Sequence, residues 1–358
     1  MLLANLANPW LLSRLLASIA SIALGVYALV VAVRVMRVLP AGARGVALLE
    51  RSGERVLAVE RRAELVAALV QVGLAVAVTN LVLLVLAGDR LSASIRGAMC
   101  AYGVFGSSDW GFRALGASIA AALACATWLA LHRFDLALER PLLVRTKFAA
   151  LLVVVPLVVL DGGLFAAFAL DLDFQVVASC CSVALDDAAA GYSAMQSAPL
   201  REGAALVAAA IAALAATAAL LARRGAAFSW AASALGVGAA VAAIPAILWF
   251  VAPHAYETPH HICPFCLFRP EAGGLGFPLF GAIFVGLAGA LSLGVTELAA
   301  RKARRLGATL SPDLAATIAT SRRRLGAFTA VAWASALVLA VLPVARYAFV
   351  TGGASLFG

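Results

Sequence analysis

The sequence predicts an all-helical, polytopic membrane protein with about eight transmembrane helices. Three observations predict it. Of 358 residues, 64% are hydrophobic and only 13% charged, against about 25% charged in a soluble domain. The mean hydropathy is +1.01. The apolar residues come in continuous runs, not in alternation, which excludes a transmembrane β-barrel.

Eight runs each supply roughly the 20 apolar residues that a helix needs to cross about 30 Å of hydrocarbon. They fall at 13–36, 64–88, 113–133, 147–170, 203–222, 228–252, 275–297 and 325–348, and 1–358 reads as a single membrane domain. Met1 to Pro9 lacks a basic stretch, so no cleavable signal peptide is expected. After the first span, the segment from Arg37 to Glu64 mixes charged and apolar residues and reads as an amphipathic helix or hairpin on the membrane surface. Pro156, Pro245 and Pro343 fall inside spans four, six and eight and predict kinks there. Gly286, Ala290 and Gly294, spaced by four in span seven, predict close packing on a neighbouring helix. The segment from Arg301 to Arg324 reads as a basic loop with a short helix opened by Ser311 and Pro312.

The net charge of +9 is a topology signal and not a nucleic-acid one. Twenty of the 27 Lys and Arg residues follow spans one, three, five and seven, among them Arg51, Arg140, Lys147, Arg223 and Arg301. The remaining seven are Arg14, Arg90, Arg96, Arg113, Arg201, Arg269 and Arg346. This bias puts the first set in the cytoplasm and both termini outside. The outer loops are then 89–112, 171–202 and 253–274. Scarce lysine with abundant arginine and alanine points to a bacterium, so the expected location is the bacterial cytoplasmic (inner) membrane, with these loops facing the periplasm. No G-x-x-x-x-G-K-[ST] is present, so no ATP site is expected in this chain. Leu267 follows Cys266, so the C-x-x-C-H of covalent haem attachment is absent as well.

The topology sorts the cysteines. Cys100, Cys180, Cys181, Cys263 and Cys266 fall in outer loops, and only Cys125 lies inside a span, where it reads as a small packing residue. His254, His260 and His261 join the outer group. Tyr102, Trp110, Tyr192 and Tyr256 read as interfacial aromatics.

Thiolates are the reactive form of cysteine, toward disulfides and metals alike. In a CxxC pair the second thiol resolves a mixed disulfide formed by the first. With Cys263 as an N-cap, Pro264 takes the first helical position and the free amides favour a Cys263 thiolate. Pro270, Gly273 and Gly274 stop that helix within about two turns. Adjacent Cys180 and Cys181 are poorly placed to bond each other. Each is expected to pair elsewhere, with Cys100 as one partner, or both to bind a soft metal. Five outer cysteines cannot all pair.

Cys263-Pro264-Phe265-Cys266 resembles the active-site tetrapeptide of some glutaredoxins. Set in a helical membrane protein with further outward cysteines, it resembles the disulfide-forming membrane oxidoreductases, including the vitamin K epoxide reductase class. The resemblance covers Cys263 and Cys266 and, more loosely, Cys180, Cys181 and Cys100. It implies a loop cysteine pair that relays electrons to a CxxC beside a quinone; for such a redox protein the expected electron partner is a quinone or a soluble periplasmic thioredoxin-like protein. Members of that class are four-helix bundles, so the resemblance implies chemistry and not fold.

The same residues suit a metal. His260, His261, Cys263 and Cys266 place two imidazoles and two thiolates within seven residues, a donor set that fits Zn, or Cu(I) through the thiolates. Cys180, Cys181 and His254 are further candidate ligands. Asp161 lies mid-span, where an ionisable group costs at least ~2.5 kcal/mol. It either faces the bundle in a hydrogen bond or relays a proton or cation during thiol oxidation. Three functions follow. The first is a periplasm-facing thiol–disulfide redox protein, with Cys263 attacking, Cys266 resolving and Cys180, Cys181 and Cys100 as a second group. The second is soft-metal binding or transfer. The third is a non-catalytic subunit that docks a transporter or an electron-transfer partner.

Overall fold

The structure, a computed structural model, describes residues 8–38, 54–138, 143–175, 177, 197–305 and 312–357. Every regular element among them is helical. Among the described residues, eight helices are long and apolar enough to cross a membrane: Pro9–Arg37, Glu64–Ser94, Gly111–Leu136, Val144–Asp171, Ala198–Arg224, Ala226–Tyr256, Gly276–Arg305 and Leu314–Val350. They coincide with the eight apolar runs and mostly extend past them. A helix satisfies its own backbone, so its ladder continues beyond the apolar stretch until a turn residue stops it.

In chain order the helices are α1 (Pro9–Val38), α2 (Glu54–Leu91), the short α3 (Ala101–Gly106), α4 (Gly111–Leu136), α5 (Val144–Asp171), α6 (Ala198–Leu221), α7 (Ala226–Ala246), α8 (Ala252–Tyr256), α9 (Gly276–Arg305) and α10 (Pro312–Val350). The surface element expected between Arg37 and Glu64 lies largely outside the described residues, and α2 begins at Glu54. The short helix expected after Pro312 is instead the start of α10, which runs 39 residues without a break. Nothing between Pro312 and Leu325 breaks a helix, and arginine is a good helix former, so the basic run joins the span. Helices α5 and α10 continue through Pro156 and Pro343. Pro245 acts more visibly. Between it and Pro253 the ladder widens to a π-turn over Ile247–Val251, which carries α7 into α8. Missing proline amides relax the regular bonding there.

The chain divides into two compact units. The first comprises Met1–Leu86, Asp109–Leu172 and Gly294–Arg322. Its core joins Ala28, Ala32 and Val35 of α1, Val66 and Val70 of α2, Cys125 and Trp128 of α4, and Phe148, Leu151 and Val155 of α5. The Trp128 indole N–H donates to the Lys147 carbonyl at 2.8 Å, and Lys147 pairs with Asp135 at 2.7 Å. A buried ion pair here keeps both charges compensated where water is scarce.

The second unit comprises Ala87–Ser108, Asp173–Leu293 and Arg323–Gly358. Small residues set its helix spacing. Ala212 and Ala215 of α6, Ala239 of α7, and Trp333 and Ala336 of α10 form one buried cluster. A Cβ on Gly286 would meet the Trp333 ring at 2.9 Å, and one on Gly236 would collide with Ala290. Gly286 and Ala290 are thus the close-packing positions that their spacing predicts.

Candidate functional site

The site lies within the second unit and is built from two loops. One follows α2. There Gly88 lets the end of α2 approach α3, since a Cβ on it would meet the Phe105 ring at 2.8 Å and the Ala101 Cβ at 3.0 Å. Cys100, in extended conformation, immediately precedes α3. The other loop runs from α8 to α9. It leaves α8 at Glu257, whose left-handed φ of 54° turns the chain. It then carries His260, His261 and Cys263 into a 3₁₀ turn over Phe265–Phe268. Gly273 and Gly274, both at φ 65°, turn it back toward α9. Gly276 seats the start of α9 against that turn, where a Cβ would lie 2.9 Å from the Leu267 and Phe268 backbone.

Cys263 was expected to cap an α-helix. Pro264 takes the capping position instead, and the turn that follows has four residues. Arg269 resumes extended backbone before Pro270, because the residue before a proline is pushed out of the helical region. A single turn has no developed dipole, so it supplies no macrodipole for a Cys263 thiolate.

Cys100, Cys263 and Cys266 come together. Their three Sγ atoms all lie within 4.8 Å of one another, and the Cys100 and Cys263 sulfurs are 3.4 Å apart. The residues are 1%, 1% and 6% exposed. Tyr102, Tyr256 and Phe265 pack around them. Sulfurs sharing one Zn ion at about 2.3 Å each are ~3.8–4.0 Å apart, so this spacing suits a shared ion with little movement.

Polar contacts hold the two loops in register. The Tyr256 hydroxyl donates to the Cys266 carbonyl at 2.8 Å, and the same carbonyl accepts the Arg269 amide at 2.9 Å. Arg269 then reaches across to the other loop. Its Nη2 donates to the Met99 carbonyl and, at 3.4 Å, to the Ser92 hydroxyl, while its Nε lies 3.6 Å from Asp89. Leu267, fully buried, anchors the turn among Ile247, Val251, Ala252 and Leu279.

The histidines separate into three situations. His260 is exposed. His261 is half-buried, stacked on Tyr256 with ring centroids 4.0 Å apart. Its Nε2 is buried and has no hydrogen-bond partner among the described residues. Burial pushes its pKa below the ordinary 6.5, with the Cys100 sulfur opposing the shift, which favours the neutral ring. A neutral imidazole is the form that binds metals. His254 is committed elsewhere. Its Nδ1 donates to the Phe250 carbonyl at 2.7 Å, and its ring sits among Phe250, Tyr347 and Phe357.

Among the described residues, the mutually close donor set is the three sulfurs, and neither His260 nor His261 belongs to it. Cys100 thus joins Cys263 and Cys266 of the contiguous His–His–Cys–Cys set. Cys180 and Cys181 lie outside the described residues, as does Tyr192. Cys100 lies against Cys263, and its expected pairing with Cys180 or Cys181 falls outside the described residues. Tyr102 and Tyr256, read as interfacial aromatics, wrap the sulfurs. Arg269 was counted only as a topology charge. No sequence signal marks it as a tie between loops, because its partners are mainly backbone and distant in sequence.

Cys125 is 3% exposed in the core of the first unit, a packing residue as expected. Asp161 also lies in that unit. It pairs with Arg14 at 2.6 Å and accepts from the Ser118 hydroxyl, while Arg14 donates to Ser18 and stacks over Phe165. The sequence reading assigned Arg14 to the outer side and missed this pairing. Its position inside the first apolar run was the available signal.

An apolar cavity of ≈ 390 Å³ lies elsewhere in the second unit, lined by Glu202, Phe250, Leu279 and Trp333 among others, and no cysteine lines it. The chain matches no protein family, no curated protein and no solved structure.

Proposed function

We propose that this chain is a multi-pass membrane protein that binds a thiophilic d¹⁰ metal ion, Cu(I) or Zn(II), through Cys100, Cys263 and Cys266, and holds it for transfer to a partner. The observation that carries this reading is the buried trio of sulfurs mutually within 4.8 Å. Three thiolates this close repel one another, and burial penalises each negative charge. A bound cation removes both penalties, and soft thiolates favour Cu(I) and Zn over harder ions. The sulfurs are nearly inaccessible, which suits retention of an ion better than direct attack on a protein disulfide.

The metal content of protein purified without chelator tests this. We expect bound Cu or Zn, and tight Cu(I) binding in competition with a chromophoric chelator under anaerobic conditions. Replacing all three cysteines with serine should abolish both. Reduced protein that binds neither Cu(I) nor Zn(II) better than the triple variant would sink the proposal.

One observation favours a second reading, the 3.4 Å approach of Cys100 to Cys263. Their oxidation to a disulfide would release two protons and two electrons. A quinone would accept them as a hydroquinone, or a thioredoxin-like disulfide as a dithiol, with Cys266 placed to resolve the bond. Alkylation mapping separates the two. Thiols unmasked by a chelator alone are ligands, and thiols unmasked only by a reductant were a disulfide. The proposed setting is the outer face of a bacterial cytoplasmic membrane, where the positive-inside bias puts these loops.

A further inference from the structure

We propose that His261 is the transfer ligand of the sulfur site, passing a monovalent soft cation, Cu(I), between the loop surface and Cys100. The inference rests on the metal-binding reading above and names its ion and its route. Among the described residues the mutually close donors are three sulfurs, an all-thiolate set. That set is complete for a soft monovalent d¹⁰ ion, whereas structural Zn(II) almost always takes four ligands.

The donors form a graded series in sequence and in burial. His260 is exposed, His261 half-buried, and Cys263 1% exposed. His261 is the middle step. Its Nε2 is shielded from solvent with no hydrogen-bond partner among the described residues. A buried polar nitrogen left unsatisfied carries a cost that needs an explanation. Tyr256, on which the ring stacks, packs against the three sulfurs, while the ring itself stands outside the close sulfur set. That placement suits a donor that bonds the ion in passing and then yields it to sulfur. Stacking on Tyr256 fixes the ring, and the Tyr256 hydroxyl ties the same assembly to the Cys266 carbonyl. A ligand that acts only in transit lowers the barrier in both directions, so it changes rates and leaves the equilibrium alone.

The test is a stopped-flow measurement on the full-length protein in detergent, with Cu(I)–glutathione as donor and a Cu(I) chelator as acceptor. Thiolate-to-copper absorbance follows loading and unloading. His261→Phe keeps the stack on Tyr256 and removes the nitrogens. It should slow both directions by about 10-fold or more, within the 10–100-fold range typical of changes around a metal site, while Kd stays within about 3-fold. His261→Met restores a soft donor of a different shape and should recover most of the lost rate, which a purely structural role would not do. Unchanged rates in His261→Phe overturn the route and leave the sulfur site standing. A loss of affinity as large as that of Cys263→Ser makes His261 a permanent ligand and also overturns it. Failure of the unsubstituted protein to bind Cu(I) overturns the route, and failure to bind Zn(II) as well overturns the metal-binding reading.

Discussion

Cys100 and Cys263 are 163 residues apart in sequence and in sulfur contact, so each of the three sulfurs is expected to matter about equally. Cys100→Ser should weaken Cu(I) binding by at least about 100-fold, the upper end of what changes beyond the ligands produce. Cys125→Ser should leave metal binding unchanged, since that side chain packs in the other unit. Competition titration of the two variants checks both statements. Arg269 acts one step further out. Its guanidinium bridges the Met99 carbonyl, the Ser92 hydroxyl and Asp89 at once, and a lysine ammonium does not reproduce that fork. Arg269→Lys should therefore weaken binding by about 10-fold or more while the helices stay folded. Full affinity in that variant would show that the loops keep register without the bridge.

At the scale of helices, small residues and buried charge govern stability. A Cβ on Gly326 of α10 would collide with the Ala219 backbone carbonyl of α6, whereas one on Gly281 of α9 meets nothing within 4 Å. Backbone cannot step aside as a flexible side chain can. Gly326→Ala should cost about 1–3 kcal/mol, and Gly281→Ala should be neutral or slightly stabilising because alanine favours helix. Thermal unfolding in detergent distinguishes them. The Arg14–Asp161 pair joins α1 to α5, with Ser18 and Ser118 adding hydrogen bonds to it. Removing one partner leaves a buried charge uncompensated. Arg14→Leu or Asp161→Leu alone should each cost about 3–5 kcal/mol, and the double substitution clearly less. If the double variant is stable but loses metal transfer, the pair does more than hold helices together.

For the molecule as a whole, the charge asymmetry makes a single demand, that the three sulfurs face the outside. Cysteine placed at Ser355, an exposed residue, should react with a membrane-impermeant maleimide in intact cells. Cysteine placed at Arg305, also exposed, should react only after the membrane is permeabilised. The reverse pattern would put the site in the cytoplasm, where the reducing environment favours a metal site over a disulfide relay still more strongly.

The helical membrane class and the eight spans were legible because they depend on local properties, the length and continuity of apolar runs in a medium that cannot satisfy a bare backbone. The pairing of Cys263 with Cys266 was legible for the same reason, being a spacing of three residues, and so was the close packing at Gly286 and Ala290. Tertiary structure alone chose Cys100 as the third sulfur, left the Nε2 of His261 without a hydrogen-bond partner among the described residues, turned Tyr256 and Arg269 into supports and joined Arg14 to Asp161. Each of those outcomes depends on distances between segments up to 177 residues apart. Helix packing sets such distances through the fit of glycine, alanine and buried charge across whole interfaces, and no local pattern encodes them.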